Sequence, residues 1–453
     1  MQPVNQSHCK VTITATVLIA TTLLMMAYSI VNAAENRLPR VEFKLNTGTL
    51  GGVAVTSDDL KAMQRGPYVL LARAGTLTKV ASETAKLPRC PRGHCQGANV
   101  IKLADGTLYV RQPTIICKSS DGGRTWNSHP LAPIEGVPQD YDRFDATENP
   151  PPPASGKGNF QVLNDGTFLQ VSMRMGKRAK GPFTVWNSPD EGRSWTKLAE
   201  VPVDVPWDYT TRYSHWGLSR LPDDTLFFGM DLRQDLKYAG APKKSPVTSG
   251  TTRLTLFRSV DGGQTWEGPI VLSDWAAEGG ICRLPGGNLL ASIRYQRPLL
   301  ATDPPSLLQR WDLQMHNGRQ SKAPYKHLFV AESSDGGFTW TNHRQLATVF
   351  GQCYGYPVAL RDGTVVVVHD TRYGPGPTSG RAMISFDQGQ TWEDETYYLY
   401  HGLVEASYNQ SVVLDDQTIL TVGGVLDRIP PNTPGHVGAV GNSDFWAIRW
   451  KLQ

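Results

Sequence analysis

The sequence contains no segment of useful length with a helical period, and beyond its first residues no uncharged run long enough to cross a membrane. It also lacks an excess of either charge. In 453 residues, 45 Lys and Arg stand against 41 Asp and Glu, scattered without long blocks, for a formal charge of +4. That balance gives no reason to expect nucleic acid or an anionic membrane as partner, although a local basic cluster would still suit a small acidic ligand. Metal-ligand spacing is equally scarce: Cys90, His94 and Cys95 share one short loop with no second ligand cluster, and no acidic loop has the spacing of a calcium site. No metal and no cofactor are expected.

The exception to the missing apolar run lies at the N-terminus. Lys10 is the only charge among the first 34 residues, an uncharged run extends from Val11 to Val31, and Ala33 and Ala34 follow, which is the pattern of a secretory leader cut beside those alanines. The run is about the length that spans a bilayer, so an uncleaved anchor is the alternative. Residues 1–34 are therefore read as signal peptide or anchor and 35–453 as one domain. The expected location is secreted, periplasmic or at the cell surface, with membrane contact only if the segment is retained. Five cysteines follow the leader, and Cys90 with Cys95 is the easiest pair to close, leaving at least one thiol free.

What the sequence has in abundance is a repeat. "SSDGGRTW" at Ser119–Trp126 recurs as "SPDEGRSW" (Ser188–Trp195), "SVDGGQTW" (Ser259–Trp266), "SSDGGFTW" (Ser333–Trp340) and "SFDQGQTW" (Ser385–Trp392), at intervals of 52 to 74 residues. A second motif alternates with it, two β-prone runs around a tight turn. Its copies are "VIKLADGTLYV", "FQVLNDGTFLQV", "LSRLPDDTLFF", "ICRLPGGNLLASI", "VALRDGTVVVV" and "VVLDDQTILTV". Each unit reads as four antiparallel strands, A-turn-B then C-box-D, and six units arranged radially make an all-β, six-bladed β-propeller. The sixth unit lacks a box. "DFWAIRWKL" at Asp444–Leu452 supplies its third strand, and "VEFKL" at Val41–Leu45 is the expected closing strand. In the box, the Asp is expected to bind turn backbone and the Trp to pack between neighbouring sheets, so the box is read as framework.

Antiparallel order puts the A–B turns and the boxes on one face of the disc and the D–A and B–C connections on the other. The long segments, 127–158, 234–252 and 297–326, all belong to the second face, where a binding site is expected. Residues just before each A strand or just after each B strand ring that mouth: Arg111, Arg174, His215, Asp231, Arg233, Glu278, Arg294, Tyr354, Tyr356, Asp370, Arg372 and Tyr408 beside Glu405. Arginines converging on one axis suit an anionic ligand, because guanidinium matches carboxylate, sulfate or phosphate.

Repeated Asp boxes on six blades resemble the sialidase (neuraminidase) superfamily, over nearly all of the chain beyond the leader. The resemblance implies an arginine triad around a substrate carboxylate, a tyrosine nucleophile supported by a glutamate, and an aspartate acid/base. Glu278 and Arg294 look like the family's glutamate and second arginine, Arg372 in "HDTRYG" like the third, and Tyr408 in "EASYNQSVVLDD" like the nucleophile. A neutral phenol activated by Glu278 suits attack beside a substrate carboxylate. Blade 1 departs from the pattern, with Gln96-Gly97-Ala98 and Gln112-Pro113 where the family carries an arginine and the aspartate. Arg92 or Arg111 remain as substitutes for the arginine, and Asp145, Asp231 or Asp370 for the acid.

Three functional readings follow. The leading one is a sialidase-type glycoside hydrolase releasing a terminal acidic sugar from a glycan or glycoconjugate with retention, using Tyr408 and Glu278, with Arg294, Arg372, Arg111, His215 and Tyr356 binding substrate. The second is a hydrolase or lyase acting on a uronate- or sulfate-bearing polysaccharide through His215, Tyr354 and Tyr356. The third is a non-catalytic glycan-binding propeller in which Trp207, Trp216 and Trp311 offer stacking surfaces.

Overall fold

The computed structural model describes residues 49–50, 53–54, 69–73, 76–89, 99–137, 153–154, 159–174, 181–206, 209–234, 252–297, 315–316, 319–320, 325–346, 352–371, 380–393, 397–399, 409–426 and 443–453. All belong to one compact unit, Phe43–Gln453, and every regular element among them is a β-strand. They form six blades. Blade 1 runs from its inner strand outward as Asn99–Lys102, Leu108–Arg111, Ile115–Ser119 and Asn127–Pro130. Blade 2 is Phe160–Val162, Phe168–Arg174, Phe183–Ser188 and Thr196–Val201, and blade 3 is Tyr209–Arg220, Leu226–Gln234, Thr252–Ser259 and Glu267–Asp274. Blade 4 is Ala276–Arg283, Leu289–Arg297, Tyr325–Ser333 and Thr341–Gln345. Blade 5 is Gln352–Ala359, Val365–Thr371, Gly380–Ser385 and Tyr397–Leu399, continued outward by the hairpin Val69–Arg73 and Thr76–Val80.

Blade 6 closes the ring and corrects one expectation. Its strands are Gln410–Val413, Ile419–Leu426 and Ser443–Trp450 from the C-terminal end, but the fourth is Ser82–Lys86. The proposed closing segment Val41–Leu45 lies outside the described residues. The apolar alternation of "VEFKL" misled because an outermost strand needs only one packed face. The strand that closes the ring, Ser82-Glu-Thr-Ala-Lys86, is mostly exposed and polar.

The six A–B turns have one geometry. Leu103, Leu163, Leu221, Leu284, Leu360 and Leu414 each donate their N–H to the carbonyl four residues on, at 2.8–2.9 Å. The third residue after each leucine returns an N–H to the leucine carbonyl at 2.9–3.1 Å. That third residue always has positive φ. Four turns use glycine (Gly106, Gly166, Gly287, Gly363), and the other two hold Asp224 at 63° and Gln417 at 63°.

The boxes behave as framework. In each, the serine Oγ bonds the aspartate and accepts the glycine N–H, while the aspartate's second oxygen takes the Thr or Ser hydroxyl. For Asp335 these distances are 2.8 Å to Ser333 and 2.6 Å to Thr339. Each box packs on the preceding blade: Gly337 against Phe227, Gly389 against Leu290, Gly123 against Leu420. Arg344 donates to the Gly389 carbonyl and Arg449 to that of Gly122 across the same interfaces. The box tryptophans join the interblade clusters, with Trp266 beside Phe183, Phe228 and Phe257, and Trp126 beside Leu420 and Phe445. On this face the A–B turns also link round the axis, from Ala104 to Asn164, Asn164 to Asp224, Arg283 to Asp223, and Lys102 to Asp415.

Candidate active site at the mouth of the propeller

The opposite end of the inner strands is less regular. Counting back six residues from the turn-opening leucine gives His215 in blade 3, Glu278 in blade 4 and Tyr354 in blade 5. All three stand in β-bulges. In blade 4 Ala277 pairs with Arg294 and Gly279 with Ile293, so Glu278 is the extra residue; in blade 5 Tyr354 is extra between Cys353 and Gly355. In blade 3 the register jumps from Tyr213 to Gly217, with His215 in the middle of the insertion. Glu278 and Tyr354 have positive φ, 22° and 49°. Bulges turn a side chain out of the regular alternation and are common beside active sites, and such backbone costs about 1–3 kcal/mol per residue unless the surroundings enforce it.

The surroundings do enforce it. Gln410 Nε2 donates to Tyr354 Oη at 2.7 Å, and Gln410 Oε1 accepts from Val100 N at 3.2 Å, tying blades 5, 6 and 1 together. Ser292 Oγ donates to the Gly355 carbonyl between blades 4 and 5. Asn99 bonds the Phe160 carbonyl between blades 1 and 2, and Gln161 bonds that of Leu218 between blades 2 and 3 at 2.7 Å. This buried polar belt holds the inner strands just beneath the bulges.

On each neighbouring strand, ten residues after the leucine, stand Asp231, Arg294 and Asp370. Arg294 Nη1 donates to Glu278 Oε1, and the Glu278 side chain is only 2% exposed. The carboxylate is thus held by a charge-assisted bond that fixes both groups. Strand alternation sets the direction of these residues. Phe228, Met230 and Leu232 pack against blade 2, whereas Phe227 meets Gly337 of blade 4, so Asp231, which is buried, shares the face toward blade 4. Likewise Leu290 and Ser292 meet blade 5, and Arg294 lies on their face.

The other expected site residues divide in three. Arg111 is described and is not a rim group: it is 2% exposed, its guanidinium lies 5.7 Å from the centre of the Phe160 ring, and it donates to the Gln112 carbonyl at 3.3 Å. Tyr356 sits two residues below the bulge, its ring against Gly280. Burial, the nearby Cys282 thiol and an opposing effect from Arg220 leave its phenol pushed up to about 12. Trp216 is buried at 2%, packed against Gly229, and offers no open stacking face. His215, Arg174 and Asp370 are placed on their strands but not in their side chains. Tyr408, Glu405, Arg372, Arg92, Asp145, Trp207, Trp311, Cys90 and Cys95 lie outside the described residues. Among the described residues Cys117 and Cys282 form no disulfide.

Sequence reasoning found the bulge residues as rim positions and missed the bulges. The signal was present in His215-Trp-Gly217, Glu278-Gly279 and Tyr354-Gly355, each a chemistry-bearing residue followed by glycine at one register.

Neither a comparison with protein-family models nor one with curated proteins returns a match. Solved structures do match. A Dyadobacter fermentans protein described as of unknown function superposes with a TM-score of 0.52 at 17% identity, over 82% of this chain and 98% of that one. A Hadza microbial sialidase gives 0.50 at 15% identity, over 79% of this chain and 65% of its own, so the chain spans under two thirds of that sialidase. An α-L-arabinofuranosidase of Fusarium graminearum, in complex with an iminosugar inhibitor, gives 0.48 at 14% identity, over 82% and 98%. At these identities the likeness establishes the fold alone, a six-bladed β-propeller.

Proposed function

We propose that the protein is a glycoside hydrolase that works at this mouth and releases a terminal acidic sugar from a glycan or glycoconjugate with retention, as a secreted or surface protein. The observation that carries the reading is Glu278: a carboxylate raised on a bulge, at positive φ, bonded to Arg294 at the mouth end of blade 4. In this reading the Tyr408 phenol attacks the anomeric carbon and gives its proton to Glu278. Arg294 and Arg372 hold the sugar's carboxylate, so that the reacting carbon is presented in one orientation. The sialidase among the matched folds supports the substrate class at the level of analogy.

Turnover of an aryl α-sialoside by wild type and by Tyr408→Phe tests it. Hydrolysis by wild type that falls about 10²-fold or more in the variant supports the reading. Wild type inert toward aryl sialosides and aryl uronides alike rejects it. A second reading, action on uronate-bearing polysaccharide through Tyr354 and His215, is favoured by the bulges in which those two residues stand, at the same count from the turn leucine as Glu278. It is tested in the same panel by Tyr354→Phe.

A further inference from the structure

At the mouth, blade 3 passes to blade 4 through a single residue. Strand Glu267–Asp274 ends, Trp275 follows, and strand Ala276–Arg283 begins. We propose that Trp275, with the ion pair Arg253–Asp274 beside it, is a subsite for a neutral sugar ring on the leaving-group side of the bond to be cleaved. This rests on the glycosidase reading and specifies the partner from which the terminal sugar is released.

The backbone at Trp275 is unusual. Its φ is 59°, in the left-handed region that glycine enters freely and a bulky residue does not. Both neighbouring blades hold it there, since its N–H donates to the Thr252 carbonyl of blade 3 at 2.5 Å and its carbonyl accepts from Gln296 N of blade 4 at 2.7 Å. A one-residue link accounts for the φ, but glycine would serve the link better. The side chain is also unlike those of the boxes. Trp126, Trp195, Trp266 and Trp340 each donate the indole N–H to a backbone carbonyl at 2.9–3.1 Å. Trp275 is partly exposed, and its indole N–H bonds none of the described residues.

A polar fork stands at the same corner. Arg253, next to Thr252, pairs in register with Asp274, and its Nε and Nη2 reach the two carboxylate oxygens at 2.6 and 3.2 Å. The Arg253 guanidinium also lies 5.6 Å from the centre of the Tyr209 ring, which fixes it further. The fork is about one third exposed, 31% at Arg253 and 34% at Asp274, so Asp274 offers solvent the lone pairs that Arg253 does not engage. Because the two charges cancel, the pair suits the hydroxyls of a neutral ring better than an anion. An aromatic face with a few fixed polar groups is the usual make-up of a small-ligand site.

Position assigns the subsite to the leaving group. Trp275 precedes Glu278 by three residues, so their Cα atoms are at most about 11 Å apart, a distance a disaccharide covers. The Glu278 side chain is 2% exposed, whereas Trp275 and the fork reach solvent. A terminal sugar seated at the deep pair would therefore extend its remaining chain past the rim where Trp275 stands.

The test uses the full chain as wild type, Trp275→Ala and Trp275→Phe, with lactose as a neutral disaccharide probe in titration calorimetry. Lactose is expected to bind wild type, to bind Trp275→Ala about 10-fold more weakly, and to bind Trp275→Phe better than Trp275→Ala, since phenylalanine keeps a ring face. In the same proteins, kcat/KM on 3′-sialyllactose relative to methyl α-sialoside should fall about 10-fold in Trp275→Ala, through KM, because only the first substrate presents a neutral ring to the platform. No binding of lactose by wild type, or binding unchanged in Trp275→Ala, overturns the subsite. Equal loss on both sialosides overturns it too, being what a purely structural role predicts. Wild type inert toward both sialosides, with lactose binding that still depends on Trp275, removes the glycosidase reading and leaves the sugar subsite standing.

Discussion

Replacing Gly279 by alanine probes the bulge directly. The residue follows Glu278 in the inner strand of blade 4. A Cβ built there overlaps the Ser292 carbonyl oxygen and comes within 2.9 Å of the Ser292 carbonyl carbon and of Trp216 Cζ3. Ordinary carbon contacts sit near 3.5–4.0 Å, so the inner strand must move by on the order of 1 Å. Ser292 cannot simply yield, because its own hydroxyl is bonded to the Gly355 carbonyl of blade 5. Overpacking of this kind costs about 1–3 kcal/mol. With an unfolding entropy of about 2.1 cal/mol/K per residue over roughly 400 residues, the melting temperature should fall by about 1–4 °C. The effect on turnover should be larger, about 10²-fold, because a displacement of that size removes Glu278 from its working position. Gly287→Ala is the control: φ is +92° and nothing lies within 4 Å of the added carbon, so only backbone strain of about 1 kcal/mol applies and turnover should not change. Thermal melts and kcat on an aryl sialoside would be measured side by side. If Gly279→Ala melts no lower than Gly287→Ala and hydrolyses substrate at the wild-type rate, the bulge does not position Glu278.

Three further outcomes are expected. Glu278→Ala leaves the Arg294 guanidinium facing a space its carboxylate filled, in a pair whose acid is 2% exposed, so a loss of about 3–5 kcal/mol should appear in denaturant melts; Glu278→Gln should lose less stability yet still drop turnover about 10²-fold or more. The box aspartates should set the acid limit of the fold. Asp190 is held well below the usual carboxylate range by the hydroxyls of Ser188 and Ser194, and Asp335 by the hydroxyl and N–H of Thr339. Because the folded values lie below the unfolded value of about 3.9, the unfolded chain binds protons first. Stability should therefore be fully present above about pH 4–5 and be lost as pH falls below it, with Asp335→Asn flattening the slope in melts taken from pH 5 to 2. Finally, a chain beginning at residue 69 keeps both the outer hairpin of blade 5 and the fourth strand of blade 6, one beginning at residue 82 loses the hairpin, and one beginning at residue 87 also loses all five paired residues of the fourth strand; melting temperature should fall in that order and cooperativity should be lost at the last.

The fold was legible because two local devices recur whose chemistry is visible in single letters: in all six blades a tight turn, with Gly, Asp or, in blade 6, Gln at the left-handed position, and in five of them a box whose Ser, Asp and Thr or Ser saturate one another. Ring closure was not legible. Ser82–Lys86 sits at an outer edge, needs no buried face, and so carries no apolar alternation to find. The site was half legible. Position along the repeat placed Glu278 and Arg294 at one register of blade 4, where the structure pairs them, because a strand-paired register converts sequence distance into contact. The same logic misjudged Arg111, whose place at the end of its strand fixes height above the disc but not direction. Eight residues beyond the leucine, it turns under the mouth onto Phe160. Tyr356 stands two residues further down its inner strand than the bulge, its ring partly buried against Gly280 of blade 4.

Those directions divide the work between the two faces. At the box face the boxes pack backward, each gripping the blade before it, as Gly337 grips Phe227 and Gly389 grips Leu290. At the mouth the strand faces that carry Asp231 and Arg294 are turned forward, toward blades 4 and 5, while Arg294 bonds Glu278 of its own blade. The backward contacts and the axial belt of Gln410, Ser292, Asn99 and Gln161 absorb the strain of the bulges.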